Sequence, residues 1–373
     1  MIYLDNSATT QIFPNVADEI CELSKNNFYN ISSSYSRALE TEKLFLSAKK
    51  TLASFLGCQD KEIIFTSGGT ESNNTALACA PNNSEIIVSA VEHHAILNCE
   101  RTLRDRNIKL ILCPVDKFGR VNPQTLASLI TKQTSLVSIT HVNNETGAVN
   151  DISELVKTVK AINKSIIFHS DGVQAFMHVC TTVKELGVDM YSVSAHKVHG
   201  PKGVGALFVK QGTPFKAYIQ GGGQQNDLRS GTVNVPGYVG FARALEELKG
   251  TDEFSAHLKT IKQEYIKKLS TLDEVKFTLS DSAPNILSVC IKGVRASTLQ
   301  NALEDHVLIG KGSACTSRNS KISHVLSAMD IPLAEAEATI RLSFGAFNTI
   351  DEVDFACQKI IEAATHLRRF KRK

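Results

Sequence analysis

The run Ser194-Ala195-His196-Lys197 follows an apolar stretch, Val188 to Val193, and leads into Val198-His199-Gly200-Pro201-Lys202-Gly203. Pro201 and the glycines around it stop any helix, so Lys197 stands in a polar turn at a strand end. An amine held there can form a Schiff base with a carbonyl cofactor or substrate. Most lysines in such turns are solvated charges. Lys202, in the same turn, is an equal candidate on chemistry alone. The other strand ends decide between these readings.

Thr66-Ser67-Gly68-Gly69-Thr70 lies between Ile63-Ile64-Phe65 and a helical pattern from Glu71. Its glycines let the backbone approach an anion, and free N–H groups at a helix start bind phosphate. No Gly-Lys-Ser/Thr follows, so it is not a Walker motif. Alone, such a turn is more often just a turn. Val91-Glu92-His93-His94 offers a flat ring that could stack on a planar cofactor, although a lone His is usually a core or surface residue. His141-Val142-Asn143-Asn144-Glu145-Thr146-Gly147 offers amide donors. Phe168-His169-Ser170-Asp171-Gly172-Val173-Gln174 ends a strand in a carboxylate. Asp171 could cap a helix, or it could hold a proton on a pyridine nitrogen, with Gln174 at the same end of the element. A phosphate loop, a stacking ring, amides, a carboxylate with Gln, and Ser-x-His-Lys are together the parts that pyridoxal 5′-phosphate needs.

The elements that must position these groups are short apolar strands alternating with helices. Strands are expected at 63–65, 86–88, 110–112, 136–140, 166–168, 190–193 and 206–209, and helices at 16–25, 37–56, 71–80, 94–106, 123–130 and 152–162. This alternation predicts an α/β fold with a mostly parallel sheet covered by helices. Ligands of such sheets bind outside the carboxyl ends of the strands, where the polar motifs stand. The pattern changes after about Gly250. Helices at 254–269, 297–304, 322–329 and 352–367 mix with strands at 275–279, 286–291 and 339–344, which predicts a smaller α+β domain.

Composition narrows the class. With 373 residues the chain is long enough for two domains. A net charge of +3 gives no argument for nucleic acid, and no apolar run approaches a membrane span. The amino-terminal residues show no signal-peptide core. Nine cysteines without a Cys-x-x-Cys pair argue against a disulfide framework or a zinc site, and for reduced thiols in the cytoplasm.

The chain resembles the cysteine desulfurases of the NifS/IscS-like group, in fold type I of the pyridoxal-phosphate enzymes. The resemblance runs through 3–10, 66–74, 92–95, 141–145, 171–174, 194–197, Arg229-Ser230-Gly231-Thr232, Gly312-Ser313-Ala314-Cys315-Thr316-Ser317 and Ile340-Arg341-Leu342-Ser343. It implies Lys197 as the Schiff-base lysine, leaving Lys202 as a polar neighbour. It implies Asp171 as partner of the pyridinium nitrogen and His93 as the ring-stacking acid/base. Asn144 and Gln174 would face the phenolic oxygen, and Gly69, Thr70, Ser194 and His196 the phosphate. Thr232 would reach the phosphate of the other subunit, which implies a homodimer. Arg341 would pair with the substrate carboxylate, a task that suits a guanidinium, with Asn144 and Asn6 also at the substrate. Cys315, in a small polar stretch, would take sulfur from L-cysteine as a persulfide and pass it to a protein acceptor, an iron–sulfur scaffold or a tRNA-thiolation enzyme. The domains implied are 13–250 for the cofactor, and 1–12 with 251–373 for the persulfide cysteine.

Three stretches depart from the family pattern: Asn30-Ile31-Ser32-Ser33-Ser34-Tyr35, Gln225-Asn226-Asp227 and Gly345-Ala346-Phe347. A selenocysteine lyase or an aminotransferase would use the same scaffold. A non-catalytic sulfur-relay protein would have no use for Lys197, Asp171, His93 and Cys315 together.

Overall fold

The computed structural model describes residues 1–248, 250–279, 281–311 and 323–371. Among the described residues twelve strands form two sheets. They are β1 (Ile2–Leu4), β2 (Ile63–Thr66), β3 (Glu85–Ser89), β4 (Lys109–Cys113), β5 (Thr134–Ser138), β6 (Ile167–Asp171), β7 (Met190–Ser194), β8 (Gly205–Val209), β9 (Val275–Phe277), β10 (Ile286–Ile291), β11 (Val307–Lys311) and β12 (Thr339–Ser343).

The larger sheet has the order β2-β8-β7-β6-β5-β3-β4. Pairs from β7 through β4 are parallel, and β8 alone runs against its neighbours. All residues of β6 and β7 are buried, as expected for central strands covered on both faces. The α/β architecture with a mostly parallel sheet is therefore present as expected. The smaller sheet has the order β1-β11-β12-β10-β9, so the amino-terminal strand pairs with a strand some three hundred residues away. One cluster takes buried apolar side chains from both sheets, Phe65, Phe168 and Leu287 among them, and a second holds Ile86, Leu136, Ile167, Met190 and Leu207 of the larger sheet.

Several elements differ from the sequence reading. The helix expected over 94–106 is two short helices, His94–Leu97 and Glu100–Arg104. The backbone tightens at Asn98-Cys99, where the Cys99 N–H bonds the Ile96 carbonyl only three residues back, at 3.1 Å. Asn is a poor helix former because its side chain competes for backbone groups. A helix at Val235–Glu247 was not expected. Gly237 and Gly240 break its periodicity, yet packing needs them. A Cβ on Gly240 would lie 2.5 Å from Ile20 Cδ1. β11 was also missed, because a short run ending in Gly-Lys carries little strand signal. The expected helix at 322–329 is described over His324–Ala328.

The Gln225-Asn226-Asp227 departure has a defined shape. All three residues have left-handed backbone, with φ of 52°, 57° and 62°. The Gln225 carboxamide pairs with Phe65 on the edge strand β2. It accepts from the Phe65 N–H at 2.9 Å and donates to its carbonyl at 2.8 Å. One side chain thus satisfies backbone groups that an edge strand would leave open.

Candidate active site

The strand ends of the larger sheet open on one cavity of about 290 Å³, near the small end of the ~300–1,000 Å³ usual for small-molecule sites. Gly69, Thr70, His93, Asn144, Asp171, Gln174, Ser194, His196 and Lys197 line it, as the strand-end reading places them, and Arg341 joins them from the smaller sheet.

Lys197 follows β7, in a single 3-10 turn, Ala195–Lys197. Its Nζ donates to the carbonyls of Ser7 at 2.5 Å and Ala8 at 2.8 Å. The amino-terminal segment is therefore part of the lysine's surroundings. That segment is held by bonds from the Thr10 N–H to the His196 carbonyl at 2.9 Å and from the His199 N–H to Thr10 Oγ1 at 2.8 Å. Lys202 is exposed and is not among the cavity residues.

Asp171 ends β6. Its Oδ2 accepts from the Asn73 amide at 2.6 Å, and its Oδ1 from the Val173 N–H at 2.9 Å. Gln174 donates from Nε2 to the Ser7 carbonyl at 2.9 Å. His93 caps the helix His94–Leu97, its Nδ1 accepting from the Ala95 N–H at 3.0 Å. A neutral His93 ring therefore carries its hydrogen on Nε2. Burial lowers the pKa of its imidazolium. The Asp171 charge opposes that shift, and the Lys197 and His94 charges add to it. His196 is pushed down to about 3 by burial, with Lys197 and Lys202 adding to the effect.

Arg341, on β12, is buried, with 1% of its surface exposed. It donates to Asp5 Oδ1 and to the Asn144 carbonyl, both at 2.7 Å. The pair forms because Gly310 of the adjacent strand leaves room. A Cβ there would meet Asp5 Oδ1 at 2.5 Å and Arg341 Nε at 2.9 Å.

Asn6 does not line the cavity. Its amide donates to the Ser343 carbonyl at 2.9 Å and to Asn348 Oδ1 at 3.1 Å, which ties the amino terminus to the smaller sheet. Thr232 is exposed and is not a cavity residue. Cys315 falls within 312–322, outside the described residues. Sequence reasoning missed Asn73, the Ser7 and Ala8 carbonyls, and Glu92. Glu92 is buried, accepts from the Thr140 N–H and from Ser89 Oγ at 2.6 Å each, and has burial raising its carboxyl to about 8. The Thr66–Asn74 motif contained Asn73, but nothing local aims it at Asp171.

The description of class V aminotransferases matches residues 2–355 of this chain. The chain belongs to the class V aminotransferase family. A cysteine desulfurase of Sinorhizobium fredii is 37% identical, with 98% of this chain and 97% of the relative covered. A solved NifS-like protein superposes with a TM-score of 0.91 at 34% identity, covering 98% of this chain and 99% of its own. The structure of SspA in complex with cysteine matches with a TM-score of 0.81 at 29% identity, over 94% of this chain and all of that one.

The cavity of this family member fits pyridoxal 5′-phosphate on its own features. Ser194 Oγ is buried without a hydrogen-bond partner among the described residues, which suits a hydroxyl awaiting an acceptor. It stands beside the start of helix Gly69–Ala78, whose first N–H groups point out of the helix. Gly68 makes that close approach possible. Its φ of 150° with ψ of −178° is a conformation essentially limited to glycine. At the other end, Asp171 is held by two donors, as a carboxylate facing a protonated ring nitrogen would be.

Proposed function

We propose that this chain is a cysteine desulfurase that removes sulfur from L-cysteine, giving L-alanine and a persulfide on Cys315. The observation that carries the proposal is the single cavity joining Lys197, Asp171, His93 and the orphaned Ser194 hydroxyl.

Gly69, Thr70, Ser194 and His196 would hold the cofactor phosphate. Asp171 would hold the proton on the ring nitrogen, and Gln174 and Asn144 would face the phenolic oxygen. When bound, pyridoxal phosphate supplies an electron sink at the substrate carbon. Arg341 has N–H groups beyond those given to Asp5 and Asn144, and these would hold the substrate carboxylate. Lys197 takes and returns the Cα proton at Nζ, and His93 gives a proton at Nε2. The Cys315 thiolate attacks the substrate sulfur. The S–S bond forms as the C–S bond breaks. The carbon keeps that electron pair and takes a proton, which yields alanine.

The persulfide sulfur would pass to a protein acceptor, either an iron–sulfur scaffold or a tRNA-thiolation enzyme. The proposal includes a homodimer in which Thr232 completes the partner's phosphate site; its exposure outside this cavity supports that reading. It also divides the chain into 13–250 and 1–12 with 251–373, supported by the pairing of β1 with β11. Cytoplasmic location is part of the reading, since all eight described cysteines are free. Among the described residues no helix is long and apolar enough to cross a membrane.

The test is incubation of the purified, cofactor-loaded protein with one equivalent of L-cysteine, measuring alanine and protein persulfide. Equimolar alanine and persulfide are expected. Oxo-acid-dependent amino transfer with no sulfur release would end the proposal.

A further inference from the structure

Asn143, Asn144 and Glu145 belong to one hydrogen-bonded turn. Asn143 Oδ1 accepts from the N–H groups of Glu145 at 2.9 Å and Thr146 at 3.0 Å, and its amide donates to the Val91 carbonyl at 3.0 Å. Asn144 lines the cavity, and its carbonyl takes an Arg341 N–H. Glu145, the next residue, points elsewhere. It is 7% exposed, and its Oε2 accepts from Ser323 Oγ at 2.5 Å.

Ser323 directly follows residues 312–322, the stretch that holds Cys315. Its Oγ also caps the helix His324–Ala328, accepting from the Leu326 N–H at 3.1 Å. His324 Nε2 lies 3.0 Å from the Glu92 carbonyl, and its ring 4.6 Å from that of His94. On the other side of the stretch, Gly310 fits against Arg341. Both flanks of the Cys315 stretch are thus tied to neighbours of cavity residues.

Glu145 is a costly way merely to fill space. A buried carboxyl loses its hydration, and an apolar side chain would pack there without that loss. Burial raises its carboxyl to about 7, against the lowering effects of the Ser323 bond and the Arg341 charge.

We propose that Glu145 is a positioning residue for sulfur transfer, which fixes through Ser323 the point in the chain directly after the stretch that holds Cys315. This rests on the desulfurase reading above. The same turn would then present Asn144 to the cofactor site and anchor Ser323, the residue that follows the Cys315 stretch.

The experiment is single-turnover persulfide formation on Cys315 in the cofactor-loaded protein, read by alkylation and mass spectrometry. It compares wild type, Glu145→Ala, Glu145→Gln, Ser323→Ala and the double variant Glu145→Ala/Ser323→Ala. Glu145→Ala and Ser323→Ala should each slow persulfide formation at least tenfold, with cofactor absorbance and the affinity for L-cysteine unchanged. Glu145→Gln keeps an acceptor oxygen and should stay within threefold of wild type. The double variant should be no slower than the worse single one, because both remove one bond. Wild-type rates in Glu145→Ala, additive losses in the double variant, or loss of cofactor binding in step with the rate would overturn the positioning role. If Glu145→Ala fails to fold, Ser323→Ala alone decides by the same rate and affinity split. A wild-type protein that forms no persulfide on Cys315 would bring down the desulfurase reading itself, a result distinct from all of these.

Discussion

Asn73 donates its side-chain amide to Asp171 Oδ2 at 2.6 Å, joining the helix Gly69–Ala78 to the carboxylate at the end of β6. Both residues are buried, and the other Asp171 oxygen takes a backbone N–H. The carboxylate is thus aimed before any ligand arrives. Hydrogen bonds to charged groups contribute about 1.5–3 kcal/mol. Asn73→Ala should therefore weaken cofactor affinity on the order of tenfold or more, measured by titrating the apo-protein with pyridoxal phosphate. Unchanged affinity and turnover would show that Val173 alone orients Asp171.

Lys197 and Lys202 lie in one turn and differ in surroundings. Only Lys197 lines the cavity, with its amine on the Ser7 and Ala8 carbonyls. Borohydride reduction of the cofactor-loaded protein followed by peptide mapping should mark Lys197. Lys197→Ala should lose turnover by more than about a thousandfold, while Lys202→Ala stays within a fewfold. A label on Lys202 would reassign the amine.

Glu92 gives the fold a pH dependence of known sign. Its carboxyl rises from 4.5 to about 8, mainly through burial, with Asp171 adding to the shift. A group raised in the folded state stabilises fully below its unfolded value, and that stability is lost as pH rises through the folded value. Melting temperature should therefore fall from about pH 4.5 to 8 and level off above that. Glu92→Gln keeps an acceptor for Thr140 and Ser89 and cannot ionise, so its melting temperature should fall less over that range. Parallel curves for the two proteins would refute the assignment.

The legible part of this site was the part made locally. Gly69, Thr70, His93, Asn144, Asp171, Gln174, Ser194, His196 and Lys197 each follow a short apolar strand in the chain, and sheet topology alone brings those ends together. Groups that reach the site across the fold gave no such signal. Asp5 meets Arg341 because β1 and β12 both flank β11, and β11 itself was not foreseen. The Ser7 and Ala8 contacts use backbone carbonyls, which any residue type supplies. Asn6, expected at the substrate, is instead spent on Ser343 and Asn348, a pairing only the closed fold defines. The helix at 235–247 was hidden by glycines whose value lies in a neighbour's side chain, Ile20, far away in sequence.

Cys315 separates the two halves of the proposed chemistry. None of the described residues lining the cavity is a cysteine, and burial pushes up the thiols of Cys58, Cys99, Cys113 and Cys357, which makes them poor nucleophiles. None of the cofactor's expected ligands lies in the stretch that holds Cys315, so Cys315→Ala should leave cofactor loading intact. Alanine release should nevertheless fall by at least about a hundredfold, or roughly 2.7 kcal/mol of barrier. Iodoacetamide at neutral pH should alkylate Cys315 of the wild type ahead of the four raised thiols. Single-turnover alanine release beside the wild type is the deciding measurement. Equal release would mean that sulfur leaves without this thiol, and the reaction would then be an elimination rather than a transfer to the protein.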